Sequence, residues 1–273
     1  MSKKRSLIIA LSQDVIFKPF FLLNLIRKLK TEDIKIAKII EVSTKNNTQV
    51  KSNKNTFKVW GLVSYLQFIS IFLLKKLLSA TPLPLKFKWK NTVKLIARKY
   101  KINYEFIDNF NKYLLDKNYS SDYIVFCFQH EIIKNPGKYK CSLINCHPGD
   151  LAEYRGIMPI FWSMLDEKKS ALISLHFIDS GIDTGKLILE RSFNLKKSLG
   201  DNYFIAYKLS AEVVCDSIKK LISNKKSAKF SRKSKLLNSY KSFPNEVNIR
   251  KFKKLNYTTS LSFKNFLKLL KTF

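Results

Sequence analysis

The sequence predicts an α/β fold: a mostly parallel central sheet flanked by helices, followed by a short basic C-terminal extension. Two observations carry this. Short runs of β-branched and aromatic residues alternate with helix-length amphipathic stretches, the rhythm of βαβ units. From about Lys225 onward acids nearly vanish, with fourteen Lys or Arg against the single Glu246. A chain of 273 residues is long enough for one sizeable core plus an appendage. Residues 1–225 are therefore assigned to one α/β domain and 226–273 to a basic, partly helical tail.

Taken in order, the basic start Met1 to Arg5 leads into Ser6 to Ala10, too short for a secretory apolar region, and Ser6 to Ser12 reads as the first strand. Val15 to Leu29 has the pattern of an amphipathic helix and Ile34 to Val42 that of a strand. The Asn-rich run Lys51 to Lys58 reads as solvated surface. Val59 to Leu74, the longest uncharged stretch, is interrupted by Gly61, Ser64 and Gln67 and falls short of the roughly 20 residues a spanning helix needs. A buried helix is expected there. Contact with an anionic membrane is the alternative, because Lys75 and Lys76 follow directly.

Thr92 to Tyr100 then predicts a helix, Asn103 to Ile107 a strand and Asp108 to Leu115 a helix. Asp122 to Phe128 is apolar enough for a central strand, and Cys141 to His147 follows. Ala171 to Ile178 and Lys186 to Asn194 read as two further strands, joined by a loop in which Gly181 and Gly185 bracket Asp183. Asp201 to Ile222 closes the domain as a helix. In the tail, Phe263, Phe266, Leu267 and Leu270 fall at helical spacing, which predicts an amphipathic helix docked on the core.

The formal charge of +31 favours nucleic acid, anionic lipid or phosphorylated ligands, but the lysines are scattered, so charge alone names no partner. Cys127, Cys141, Cys146 and Cys215 show neither a CxxC pair nor disulfide-framework spacing, which predicts reduced thiols in a cytoplasmic protein without a metal site.

The chemistry concentrates at Asn145-Cys146-His147-Pro148. Residues two apart on a strand share a face, so Asn145 and His147 project side by side from a sheet-strand end. An amide donor beside an imidazole suits acyl transfer, because both can hydrogen-bond an oxygen that becomes negative when an amine attacks a carbonyl. A carboxylate that sets the imidazole's protonation state is the missing third group, and Asp183 is the candidate.

These residues, with Tyr154-Arg155-Gly156, Pro159, Trp162, His176 and the loop Ile182-Asp183-Thr184-Gly185, resemble the folate-dependent formyltransferase family in order and spacing. The resemblance implies a Rossmann-like catalytic domain. It also implies direct transfer of a formyl group from 10-formyl-tetrahydrofolate to a primary amine through a tetrahedral intermediate. Asn145 would then stabilise the oxyanion. His147 would hydrogen-bond that oxygen and help move the proton off nitrogen, and Asp183 would set the charge of His147. Phe128, Gln129, His130, Glu131 and Ile132 match the loop whose backbone reads the pterin, with Ser180 and Ile182 closing its other side. Tyr154, Arg155 and Gly156 are the expected acceptor-binding residues, and His176 supports the Asp183 loop.

The chain departs from the family at Gly149-Asp150-Leu151-Ala152-Glu153, beside the acceptor, and Ser12-Gln13-Asp14 lacks a Gly-rich phosphate cradle. The expected acceptor is an amino sugar carried on a nucleotide, since Tyr154-Arg155-Gly156 with Trp162 resembles the sugar and transfer-RNA branch and the tail is short for the latter's barrel. Transfer-RNA formylation is the alternative, because Lys-rich segments with Tyr240, Phe243 and Phe252 suit a phosphate backbone. A catalytically inactive basic adaptor on RNA or membrane is a third reading, and a homodimer is left open.

Overall fold

The computed structural model describes residues 6–14, 16–32, 34–43, 48–80, 93–222 and 239–271, with backbone alone for 48–56, 75–80 and 271. The basic start 1–5, the side chains of 51–56 and the tail's first part, 226–238, lie outside the described residues.

The strands are β1 (Ser6–Ser12), β2 (Ile36–Val42), β3 (Asn103–Ile107), β4 (Tyr123–Phe128), β5 (Ser142–His147), the two-residue β6 (Arg155–Gly156), β7 (Ser170–Phe177), β8 (Leu187–Asn194) and β9 (Tyr240–Lys241). The helices are α1 (Phe17–Thr31), α2 (Thr48–Ala80), α3 (Val93–Lys99), α4 (Phe110–Lys117), α5 (Pro159–Leu165), α6 (Leu199–Ile222), α7 (Glu246–Lys254) and α8 (Phe263–Lys271). Seven strands form one sheet in the order β3-β2-β1-β4-β5-β7-β8. The first five of these pair in parallel, and β7 and β8 are antiparallel. This is the Rossmann-like α/β architecture that the alternating pattern predicts.

The continuous apolar character of β1 follows from burial on both faces. Leu7, Ile9 and Leu11 enter one core layer with α1, α3, α5 and α6, while Ile8 and Ala10 enter the other with Phe110, Tyr113 and Leu114 of α4. Strand order reverses between β1 and β4, which opens a crevice at the carboxyl ends of the parallel strands, where open α/β sheets bind ligands.

Two findings depart from the pattern reading. Helix α5 forms in a stretch to which periodicity assigned no element. And α2, expected to be buried over Val59–Leu74, is not: 22% of the window Phe57–Leu74 is buried, although its length and mean hydropathy of 1.6 would suffice to cross a membrane. The helix breaks at Gly61, whose φ of 70° favours glycine.

The described part of the basic extension packs on the domain. β9 pairs in parallel with β6. Phe252 of α7 is buried and stacks on Phe161 of α5 at 4.6 Å, so it offers no face to a nucleic-acid base, contrary to the reading that grouped it with Tyr240 and Phe243. α8 docks Phe266, Leu267, Leu269 and Leu270 against Phe17, Phe20 and Phe204, as its spacing predicts. Phe263, the first residue of that stripe, remains 74% exposed.

Candidate active site

The end of β5 holds Asn145 and His147 on one face, and antiparallel pairing with β7 sets His176 opposite Asn145. The loop after β7 then turns back. Asp179 and Thr184 hydrogen-bond across its base, at 2.5 Å, and Asp183 adopts a left-handed φ of 52°, which a short acidic side chain tolerates. These local devices bring the carboxylate to the strand end.

Asp183 there meets four groups. Its Oδ2 accepts from the Gly156 amide at 2.9 Å and lies 3.4 Å from His147 Nδ1. Its Oδ1 lies 3.4 Å from both His176 Nε2 and Asn145 Nδ2. His176 is in turn fixed by donating from Nδ1 to the Phe177 carbonyl at 2.7 Å. Burial alone would raise the Asp183 carboxyl. His147, His176 and the Gly156 amide outweigh it and hold the group well below the usual carboxylate range. Asp183 is therefore a buried, fixed negative charge, and the expected support from His176 agrees with its position.

His147 is 4% exposed, and its Nε2 donates to the Tyr154 carbonyl at 2.6 Å. The ring is thus clamped between that carbonyl and Asp183. The turn Gly149 to Glu153 shapes the clamp: Ala152 N donates to Asp150 Oδ1 and Tyr154 N to the Asp150 carbonyl, both at 2.8 Å. A Cβ at Gly149 would fall 2.5 Å from Pro159 and 2.9 Å from His147 Nε2, so the imidazole's seat requires glycine there.

The expected acceptor residues serve this seat mainly through backbone. Tyr154 is buried, its hydroxyl donating to Asp166 at 3.1 Å and its carbonyl holding His147. Arg155 donates through Nε to Ser239 Oγ at 2.7 Å, which ties it to the C-terminal segment. Gly156 contributes its amide to Asp183. Its φ of 90° and a Cβ position 2.5 Å from the Lys241 carbonyl leave no room for a side chain.

In the expected folate loop, Glu131 accepts from the amides of Phe110 and Asn111 at 2.8 and 3.0 Å and so caps α4. The Gln129 side chain bonds the backbone of Glu131 in both directions. Phe128 joins the ring cluster of Phe21, Phe126 and Tyr207, whereas His130 and Ile132 are exposed. Ser180 lines an open depression of about 530 Å³, facing Asn135, Pro136 and Lys138, and Ile182 is exposed on the same loop. Among the described residues no group of three or more His, Cys, Asp or Glu is placed to hold a metal ion.

A second polar cluster escaped sequence reasoning. Lys18, 3% exposed, reaches Ser12 Oγ and lies 5.5 Å from the Phe128 ring centroid, while burial drives its ammonium down to about 8. Glu41, raised by burial, accepts from the Tyr104 hydroxyl at 2.6 Å. Asp14 Oδ1 accepts from the Ile16 and Phe17 amides at 2.6 and 2.9 Å, so the start of α1 already holds a carboxylate. The available signal was a lone lysine within the apolar run Phe17 to Leu23.

Comparison with known proteins follows this geometry. A family model described as Formyl transferase matches residues 15–201. The methionyl-tRNA formyltransferase of Caldanaerobacter subterraneus is 36% identical over 98 residues, which is 35% of this chain and 30% of that protein. The chain thus matches about a third of the length of such curated relatives. Two solved structures share the fold, each with a TM-score of 0.58. The sugar 3N-formyltransferase WlaRD, with dTDP and 5-N-formyl-THF, is 19% identical, covering 95% of this chain and 83% of its own. The N-formyltransferase of Helicobacter canadensis, in complex with folinic acid and dTDP-3-aminofucose, is 17% identical, covering 96% and 85%.

Proposed function

Because the chain belongs to the formyl transferase family, we propose that it moves a formyl group from 10-formyl-tetrahydrofolate to a primary amine carried by a nucleotide-linked amino sugar. The observation that carries formyl transfer is the convergence of Asn145, His147 and Asp183 at the end of β5. The folate fits the residues present. The Gln129 and Glu131 side chains are spent on fixing their own loop and capping α4, so the loop has a set main chain to offer a flat heterocycle. When bound, the folate supplies the formyl carbon as electrophile.

The chain's own groups do the rest. Asn145 donates its amide to the oxygen that becomes negative, a contribution of about 3 to 4 kcal/mol for a preorganised donor. With Nε2 held by the Tyr154 carbonyl, Nδ1 of His147 is the atom that takes the proton from the attacking nitrogen, Asp183 stabilising the charged ring. The proton passes on to the nitrogen that leaves as its bond to the formyl carbon breaks. His176 and the Gly156 amide keep the carboxylate in place.

Two features disfavour glycinamide ribonucleotide as acceptor. One is the motif Tyr154-Arg155-Gly156 with Trp162, which resembles the sugar and transfer-RNA branch. The other is Asp14 on the first amides of α1, which occupies the place where a helix N-terminus would hold a ribonucleotide phosphate. Between the two remaining acceptors, the short basic extension favours the amino sugar. A second reading, formylation of methionyl-tRNA, is favoured by the 36% identity to an enzyme of that name and by the charge of +31. Four buried free thiols support a cytoplasmic setting. Purified chain is to be incubated with 10-formyl-tetrahydrofolate and, separately, nucleotide-linked amino sugars, glycinamide ribonucleotide and charged initiator tRNA, following folate release. Release with an amino sugar alone is expected. Release with the tRNA alone would replace the first reading by the second.

A further inference from the structure

Helix α2 is amphipathic the wrong way round for a helix that faces water. Beyond Gly61 its protein side carries polar groups: Ser64 bonds Thr259 at 2.8 Å, and the Gln67 amide exchanges two 2.9 Å hydrogen bonds with the backbone of Leu261. Trp60, Phe68 and Ile71 complete that side. Its outer side is apolar, with Leu62 63%, Val63 64%, Leu66 54% and Leu73 55% exposed, and with Tyr65, Ile69 and Phe72 beside them. Exposed apolar side chains of this number amount to roughly 700 Å², beyond the ~300–600 Å² of the largest patch on a typical monomer.

We propose that this face docks on the surface of an anionic phospholipid membrane, with α2 lying in the plane of the interface. Spanning is incompatible with the bonds from Ser64 and Gln67 to residues 259–261, which hold the helix against the body. The occupant follows from charge. A second copy would bring one charge of +31 against another, which repel, whereas an anionic leaflet attracts them, at about 1 kcal/mol for each Lys or Arg near the surface. In sequence, basic residues flank the apolar run: Lys58 before it, where it pairs with Glu246 at 3.1 Å, and Lys75 and Lys76 after it. Helix α8, packed against α2, opens with the exposed Phe263 and carries the exposed Lys264 and Lys268. An apolar stripe edged by lysines is the composition of an interfacial helix.

The test is flotation of the full chain with vesicles of phosphatidylcholine containing about 30% phosphatidylserine, against phosphatidylcholine alone. Binding to the anionic vesicles is expected, weakened at least tenfold by 0.5 M salt (about a 3 Å Debye length near 1 M, against about 10 Å at 0.1 M). The double variant Leu66→Glu/Leu73→Glu changes two exposed side chains. It should keep the wild-type circular dichroism melt and lose binding at least tenfold. Failure to float with anionic vesicles at low salt would overturn the proposal. So would unchanged binding by the double variant, which would assign the attraction to diffuse charge. A dimer in sedimentation that the same two substitutions dissolve would give the face to a second copy instead.

Discussion

At the residue scale the site depends on a few short distances, and each implies a measurable loss. Replacing Asn145 by Ala, His147 by Ala or Asp183 by Asn should each lower turnover by orders of magnitude while leaving folate binding largely intact. Asp183→Asn should also lower the melt, because it removes a buried charge held by His147, His176 and the Gly156 amide. Near-normal turnover of His147→Ala would remove the mechanism. Gly149→Ala tests the seat of the ring: its Cβ would crowd Pro159 and His147, so kcat should fall about tenfold or more with little change in folate affinity. Because Asp183 is depressed, its stabilising effect is complete above the ordinary carboxyl value of 3.8 and is lost only in stronger acid. Lys18 has the same sign for the opposite charge. Its ammonium is disfavoured in the fold, so the Lys18 contribution to stability should rise as pH increases from about 8 towards 10.5, by roughly 3 kcal/mol. Buried thiols and tyrosines such as Cys127 and Tyr207, raised by burial, act in the opposite direction. Urea denaturation of wild type and Lys18→Met across that window checks this, and parallel curves would contradict it.

At the scale of elements, the candidate site is braced from the C-terminal segment. β9 lies beside β6, whose Gly156 amide holds Asp183, and Arg155 is tied to Ser239. Phe252→Ala, by removing the stack on Phe161, should destabilise the fold by about 3 to 5 kcal/mol. A thermal melt unchanged from wild type would show α7 to be dispensable. Most elements were legible because burial imposes its period on sequence: β1 and β4 read as buried strands since both faces are covered, and α8 as amphipathic since one face docks. Asn145 and His147 were legible through strand alternation, and Asp183 through its bracketing glycines. Besides the cluster around Lys18, three things were not. α5 is short and apolar almost all round, so it shows no period. The Tyr154 carbonyl that seats His147 is a main-chain group with no residue signature. And α2 misled because hydrophobicity does not say which side of a helix the body covers.

For the whole molecule, the excess of positive charge is a folding cost spread over the surface. Self-repulsion at low ionic strength predicts that raising salt from about 20 mM to 0.2 M raises the melting temperature by a few degrees, as the Debye length shrinks below the spacing of the lysines. A melting temperature that falls would mean that ion pairs such as Arg191 with Asp216 and Lys38 with Glu105 outweigh the repulsion. The bond from Gly156 to Asp183 carries a consequence for synthesis. Every side chain of the proposed catalytic set is translated by residue 183, yet the strand that steadies β6 arrives only with Tyr240 and Lys241. Competence is thereby deferred until residues 240 and 241 are made, and a chain stopped after α6 would hold the full set of proposed reacting groups without the brace that aligns them.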